Sequence, residues 1–393
     1  MSGVELDEET RAVSVRVELP VDSDLTCPVC SMSCAGYDTR DERRWRHLDS
    51  CGFKTYLLAA VPRVRCAEHG VVTVSVPWSE PHSRFTLDFE RFAIEVLKAV
   101  KSQVRAARLL NLSWDQVHEI MGRAVKRGLS RRNAVQMAHL SVDEKGFQSQ
   151  GRYATVLTDI QGSRVLDVCE ERTAQAAQEL ILSTLSQDQL ASVRSVTMDM
   201  WDGFIKASKA ALSHADIVFD RFHIAKYLND AVDHTRIAEH NKLKRQGDLR
   251  LKGSKFFWVS NQANLRDKQI ELYGALKDAN LETAKAWALK ENFREFFALQ
   301  TPEEGETFFR AWSNDVAASQ NKYLAKVAKM LNRYFFGLRN YLKHRQTNSA
   351  AEGTNSLIQE VKFAARGFRT FQGFRIAVLF FLGKLSLYPQ ESQ

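Results

Sequence analysis

Two aspartates stand where short β-branched runs end. Val193–Thr197 leads into Asp199, Ile217–Phe219 leads into Asp220, and the helix-length segment Trp201–Leu212 lies between the runs. This is a β-α-β pattern. A carboxylate at the C-terminal end of a buried strand occupies the crevice where open α/β sheets carry their chemistry. Upstream, His139–Gly146 reads as a strand that ends in Asp143 and Glu144. Two carboxylates brought to one spot repel each other, and a divalent cation relieves that repulsion. Mg2+ (or Mn2+) takes hard oxygen ligands and keeps positions open for water and phosphate. A pair of such ions roughly 3.5–4 Å apart can clamp the attacking and leaving oxygens of an in-line phosphoryl displacement.

A second group of residues points to a different metal. Cys27-Pro-Val-Cys30 is followed, after 35 intervening residues, by Cys66-Ala-Glu-His69. Two pairs of this spacing, each on a tight turn, close a tetrahedral Zn2+ site of the ribbon type. So small a unit buries little core, and the metal supplies much of its folding free energy. Cys34, His47 and Cys51 are competing ligands, although the paired spacing favours Cys27, Cys30, Cys66 and His69. Five of the six cysteines fall within residues 27–66, and in a cytosolic chain such clustering speaks for metal over disulfides.

The elements that must position these groups follow from periodicity. Residues 1–26 carry seven acids and two bases and read as an acidic leader, with one strand at Val13–Val17. Residues 27–75 form the ribbon. Residues 76–132 form the next domain, in which 85–132 read as helices: one ends near Leu110, a short turn follows at Asn111 and Leu112, and Ser113 caps the next. Val104, Ala107, Leu112, Val117 and Ile120 are expected to form its small core. The layout is that of helix-turn-helix, with Trp114, Gln116 and His118 near the start of the recognition helix. Arg123, Lys126, Arg127 and Arg131 are then expected at DNA phosphates. An ordinary helical hairpin with a solvated basic face fits the same pattern.

From residue 133 to 225 the order is three strands (His139–Gly146, Tyr153–Thr158, Arg164–Val168), a helix (Thr173–Leu185), the strand to Asp199, a helix and a strand. That is the order of an α/β ribonuclease-H-like core. The hairpin sets the first strand centrally, so the fourth can lie parallel beside it and bring Asp143 and Asp199 together. Residues 226–345 read as all-helical, basic and aromatic. Leu324, Val327, Leu331, Tyr334, Leu338 and Tyr341 recur as one buried face, and Lys322, Lys326, Lys329 and Arg333 line the opposite one. That stripe is either a solvated surface or a phosphate-tracking face. In residues 346–393, Ser349-x-x-Glu352 has the form of a capping box. Glu352 is equally placed to be a third metal carboxylate, with Asn355 and Gln359 on its face.

Charge and hydropathy narrow the function class. The 393 residues carry a formal net charge of +8. Nine bases against two acids fall in residues 96–132, and seven bases with no acid in residues 321–345. Two concentrated basic zones are a better nucleic-acid signal than a diffuse excess would be. No membrane role is expected. The acidic start is no secretory leader, and Ile376–Leu382, closed by Lys384, is too short to span a bilayer.

Several strings resemble bacterial insertion-sequence transposases of the ISL-three type. They are Val-Phe-Asp220-Arg-Phe-His223-Ile-Ala-Lys226, Thr347-Asn348-Ser-Ala-Ala-Glu352-Gly353-Thr-Asn355-Ser-Leu-Ile-Gln359 and Ala-Ala-Arg366-Gly367-Phe368-Arg-Thr-Phe371. The resemblance runs over nearly the whole chain. It implies a catalytic Asp–Asp–Glu triad of Asp143, Asp199 and Glu352 and an all-helical insertion ahead of the Glu. It also implies a DNA-positioning role, and not metal binding, for His223 beside the active site. Asp202 is a nearby competitor for Asp199, expected in the first turn of the following helix. The ribbon's second pair ends in His69 where Cys is commoner, which zinc accepts. The implied activity is binding to terminal inverted repeats, cleavage at the element ends and strand transfer, with a homodimer or larger assembly on the DNA. The implied location is the bacterial cytoplasm, at the nucleoid. Two alternatives are a zinc-containing DNA-binding regulator derived from such an enzyme, and a ribonuclease-H-like nuclease or resolvase that joins nothing.

Overall fold

The computed structural model describes residues 3–18, 24–148, 151–260, 281–345 and 349–390, with the side chains of residues 349–352 outside that description. The chain divides into two compact units: residues 1–133 with 359–393, and residues 134–358.

The first unit begins with two small sheets. Strands β1 (Gly3–Asp7), β2 (Ala12–Arg16), β4 (Arg43–Arg46) and β5 (Lys54–Ala59) form one, in the order β1-β2-β5-β4. β3 (Ala35–Thr39), β6 (Pro62–Cys66) and β7 (Gly70–Thr73) form the other. The acidic start is therefore no separate leader. β2 pairs in parallel with β5, and this non-local partner is what gives the weak Val13/Val15 alternation a strand to join. Three helices follow: α1 (Leu87–Val100), α2 (Gln103–Leu110) and α3 (Trp114–Ser130). Asn111 ends α2 in the left-handed conformation (φ 52°), and Ser113 starts α3 with a full capping box through Gln116. The core of this helical set differs from the expected one. Val104 is exposed, and Ala106, Ala107 and Leu110 form the buried face of α2.

In the second unit, β8 (His139–Gly146), β9 (Tyr153–Asp159), β10 (Arg164–Cys169), β11 (Ser195–Met198) and β12 (Asp216–Phe219) form one sheet in the order β10-β9-β8-β11-β12. β8 and β9 and the β9–β10 pair are antiparallel; β8, β11 and β12 run parallel. Helices α4 (Ala174–Thr184), α5 (Gln187–Ser192) and α6 (Asp202–Ala211) connect the strands. After β12 come α7 (Arg221–Arg245), α8 (Lys255–Val259), α9 (Glu282–Phe293), α10 (Pro302–Ala318), α11 (Lys322–Arg333) and α12 (Phe335–His344). The continuous helix expected through residue 341 breaks at Tyr334 (φ −104°, ψ 18°). α12 then packs on β12 so closely that a Cβ on Gly337 would stand 2.2 Å from the Phe219 ring. Trp258, Trp287, Phe293, Phe296 and Trp312 are buried in the same core as the sheet residues Leu140, Val196 and Val218, so sheet and helices share one hydrophobic interior.

Helix α13 (Ser349–Ala365) is followed by α14 (Phe371–Leu382). The apolar run at Ile376–Leu382 is explained by α14 packing against α3, with Phe374, Ile376 and Val378 buried. Residues 359–393 thus belong with the first unit, whereas the sequence reading put all of 346–393 in the catalytic core. Among the described residues no helix is long and apolar enough to cross a membrane.

Candidate functional site

Parallel pairing of β8 with β11 matches Val142 with Met198, and pairing of β11 with β12 matches Met198 with Phe219. The next residue on each strand is an aspartate, so the register sets Asp143, Asp199 and Asp220 in a row at the strand ends. The three then part ways. Asp220 is buried and caps α7, accepting the Phe222 N–H at 3.0 Å. That cap fixes the first turn of α7 and brings His223 back over the sheet, with its Nε2 2.7 Å from Asp199 Oδ1. One ligand atom each from Asp143, Asp199 and His223 lies within 4.8 Å of the others.

Both carboxylates keep contact with solvent: the side chains of Asp143 and Asp199 are 14% and 26% exposed. Asp143 accepts its neighbour Glu144's backbone N–H through Oδ1 at 2.6 Å. Its Oδ2 faces Lys145 Nζ at 3.2 Å and accepts from Asn355 Nδ2 at 2.6 Å. Burial pulls the His223 pKa down, but the hydrogen bond and charge of Asp199, with Asp220 and Asp143 beyond, outweigh it and the net direction is up. Burial pushes the Glu144 carboxyl up, against the opposing charge of Arg172, its ion-pair partner. The Arg172 guanidinium also lies 4.8 Å from the centre of the Trp201 ring.

Lys145 escaped the sequence reading, although its i+2 spacing from Asp143 puts it on the same strand face. The side chain of Glu352 lies outside the described residues, and so does the capping box with Ser349. Asp202, the competitor, sits at the start of α6 and is held by Arg333 Nη2 and the Tyr334 hydroxyl, each at 2.9 Å. The resemblance gave His223 a DNA-positioning role and no metal; its imidazole lies against Asp199, in a group of possible ligand atoms that also takes in Asp143.

In the first unit, Cys27 Sγ and Cys66 Sγ lie 3.7 and 3.5 Å from His69 Nδ1, and Cys30 Sγ lies 3.6 Å from Cys66 Sγ. Zn–S and Zn–N bonds of ordinary length in a tetrahedron require S–S and S–N edges of about 3.8 and about 3.6 Å. The donor set therefore fits structural zinc. Its geometry comes from two matched turns, in which the residue after each pair, Ser31 (φ 59°) and Gly70 (φ 66°), is left-handed. Backbone amides of His69 and Glu68 donate toward the Cys66 sulfur and lower its pKa to about 7. Of the competing ligands, Cys34 stays beside the cluster, where burial and the neighbouring Cys66 and Cys27 sulfurs push its thiol pKa up, whereas His47 and Cys51 are not part of it. Cys34 Sγ donates to Met32 O, and His47 Nδ1 pairs with Thr86 Oγ1 at 2.9 Å. Cys51 is exposed.

The basic residues divide sharply. Arg127 is buried. It forks onto Glu80 at 2.6 and 2.7 Å, reaches Glu90 at 3.0 Å and donates to Leu387 O. Arg123 donates to the same Glu90 at 2.6 Å, and Glu90 also accepts from Ser83 Oγ. Arg131 donates to Tyr388 O at 2.8 Å. The expectation that Arg123 and Arg127 meet phosphates is therefore corrected: a buried carboxylate needs its charges paired, and these two supply the pairing. Trp114 and Lys126 are exposed, and His118 stacks on Trp114 at 4.8 Å. Lys322, Lys326, Lys329 and Arg333 are all exposed on α11.

Comparison with known proteins bears on this arrangement. A family model described as "Transposase", of the ISL3 type, matches residues 140–378, more than half of the chain. The chain belongs to the ISL3 transposase family. The "Helix-turn-helix domain of transposase family ISL3" matches residues 74–125, and the "zinc-finger of transposase IS204/IS1001/IS1096/IS1165" matches residues 25–69. Among curated relatives, the transposase for insertion sequence element IS1001 of Bordetella parapertussis is 23% identical over 376 residues, covering 95% of this chain and 92% of that one. The transposase for insertion sequence element IS1557 of Mycobacterium tuberculosis is 23% identical over 373 residues, covering 88% and 83%. The ISL3 order of zinc finger, helix-turn-helix and catalytic domain thus matches the chain from residue 25 onward.

Proposed function

We infer that this transposase cuts and joins the DNA ends of its insertion sequence at a site made by Asp143, Asp199 and Glu352. The observation that carries the reading is the parallel register that sets Asp143 beside Asp199 at the ends of β8 and β11. Two partly exposed carboxylates side by side offer the hard oxygen ligands that a divalent cation takes. Mg2+ or Mn2+, bound as a pair of ions, would supply charge stabilisation for the attacking and leaving oxygens. Asn355 supports the place of Glu352: it reaches Asp143, and a residue one turn earlier on α13 shares its face. The strand order β10-β9-β8-β11-β12 supports a ribonuclease-H-like core, and α7 to α12, among the described residues, an all-helical insertion before the Glu.

Each side chain has a task in two successive displacements. Asn355 and Lys145 hold the Asp143 carboxylate in one orientation, and His223 does the same for Asp199. In the first step a water oxygen bonds to the phosphorus at the element end. The 3′ oxygen leaves and takes a proton, which gives a 3′-OH. In the second, that 3′-OH attacks a target phosphate and releases a new 3′-OH, so one site serves both. The zinc ribbon and helix-turn-helix bind the terminal inverted repeats, with Trp114, Gln116 and His118 at the bases. Cutting two ends together calls for at least a dimer on the DNA. The test is substitution: Asp143→Ala, Asp199→Ala and Glu352→Ala should each bind end DNA as the wild type does and cut none. Any of the three that still cuts is thereby removed from the triad.

A further inference from the structure

Within the first unit, a groove of about 1160 Å³ runs from the ribbon to the start of α3. The arginines that line it have no individual part in the function above. Arg40, Arg43, Arg44 and Arg84 line it, and none of their guanidinium groups makes an ion pair among the described residues. Glu80 is the only carboxylate in its described lining, and both of its oxygens are taken by Arg127. Arg46 also lines it and pairs with Asp49, and Arg40 acts on the charge of Asp38, but five lining arginines against one carboxylate leave the groove cationic on balance.

Two of the four arginines are pre-set. Arg43 lies 4.7 Å from the centre of the Trp45 ring and Arg44 lies 3.3 Å from that of Tyr56. A guanidinium stacked on a ring keeps its N–H edges free and loses less freedom when it meets a phosphate. β4 is the edge strand of its sheet, and successive residues point to opposite faces, so Arg43 and Arg44 grip the edge from both sides. Arginines on an edge strand also discourage unwanted pairing. That role does not account for Arg40 and Arg84, which lie outside the strand. Arg84 O accepts the Arg46 N–H, so the segment before α1 is tied to the same edge. At its far end the groove is bordered by Asn111 and Gln116, the turn and first turn of the helix that reads bases.

The geometry points to a sugar–phosphate track for duplex DNA. The four arginines hold the backbone that flanks the groove entered by α3, so that the ribbon fixes register while α3 reads sequence. This rests on the reading that the protein binds duplex DNA.

The experiment measures binding of full-length protein to a labelled random-sequence duplex over a series of salt concentrations, with single-stranded DNA beside it. Two variants are compared with wild type: Arg43→Ala/Arg44→Ala, and Arg40→Ala/Arg84→Ala, which removes no ring contact. Zinc content and melting midpoint show which variants are folded, and the second pair decides if the first is damaged. Each pair should lower the slope of log K against log salt by about 2, near 0.9 for each phosphate no longer neutralised, and weaken duplex binding by about tenfold or more at low salt. Wild-type slopes and affinities in folded variants would overturn the track, as would a loss confined to single-stranded DNA. A wild-type protein that binds no duplex at all would instead sink the DNA-binding reading beneath it.

Discussion

The sulfur–imidazole cluster of the first unit and the carboxylate cluster of the second both gather metal-ligating atoms, but they leave different amounts of room. Cys27, Cys30, Cys66 and His69 meet at tetrahedral edge lengths, on two turns locked by left-handed residues. Such a site is closed, and its metal holds the chain together. Asp143 and Asp199 instead face a lysine, an asparagine and an imidazole, all partners that an incoming cation or phosphate can displace. One site is finished by its ligands and the other is left open by the strand register. Open coordination is what phosphoryl transfer requires.

That contrast can be broken at either end. The largest effect is expected from metal removal at the closed site. Chelation, or Cys66→Ser, should unfold the ribbon around β3, β6 and β7 and abolish binding to end DNA, while the second unit keeps its protease resistance. A zinc-free protein that melts and binds like the wild type would show that the four donors are not a structural centre. Next comes the open site. Asp199→Asn should reduce cleavage by about 10³-fold or more, since several kcal/mol of transition-state stabilisation depend on it. Thermal melting should move little; a comparable fall in stability would mean that Asp199 serves the fold.

Smaller effects sharpen the comparison for the basic residues. Arg127→Ala should destabilise the first unit by about 3–5 kcal/mol, because Glu90 is left buried with too little opposing charge. Denaturant titration checks this, and an unchanged midpoint would return Arg127 to the set of DNA-facing residues. The least effect belongs to the exposed stripe on α11. Lys326→Ala with Lys329→Ala should leave folding intact and lower the salt slope of DNA binding by about 0.9 for each phosphate that is no longer neutralised. An unchanged slope would assign the stripe to solvent.

How much of this could be read from the chain depended on whether the cause was local. Asp143 and Asp199 were legible because strand ends and turns leave marks within a few residues, and the hairpin between β8 and β10 dictates which strand is central. Ser113 was legible as a cap for the same reason. The pairing of Arg127 with Glu80 and Glu90 was hidden, since its partners lie 47 and 37 residues away and nothing local tells a buried arginine from a solvated one. β2 was half-visible because its partner β5 is non-local. The break at Tyr334 was invisible for a different reason. Its backbone stays near the helical region, so the spacing of apolar residues runs on from α11 into α12 without a gap. Asn355 was placed on the face of Glu352, but its hydrogen bond to Asp143 needed the fold.

The central claim is that Asp143, Asp199 and Glu352 form one phosphoryl-transfer site. Its most direct test is an assay on labelled element-end DNA with a supercoiled target plasmid, with Mg2+, with Mn2+ and without either, for wild type beside Glu352→Ala. The expected result is metal-dependent cleavage and joined product for wild type, and end binding without either product for the variant. Cleavage and joining by Glu352→Ala at the wild-type rate would contradict the triad and leave Glu352 as a helix cap.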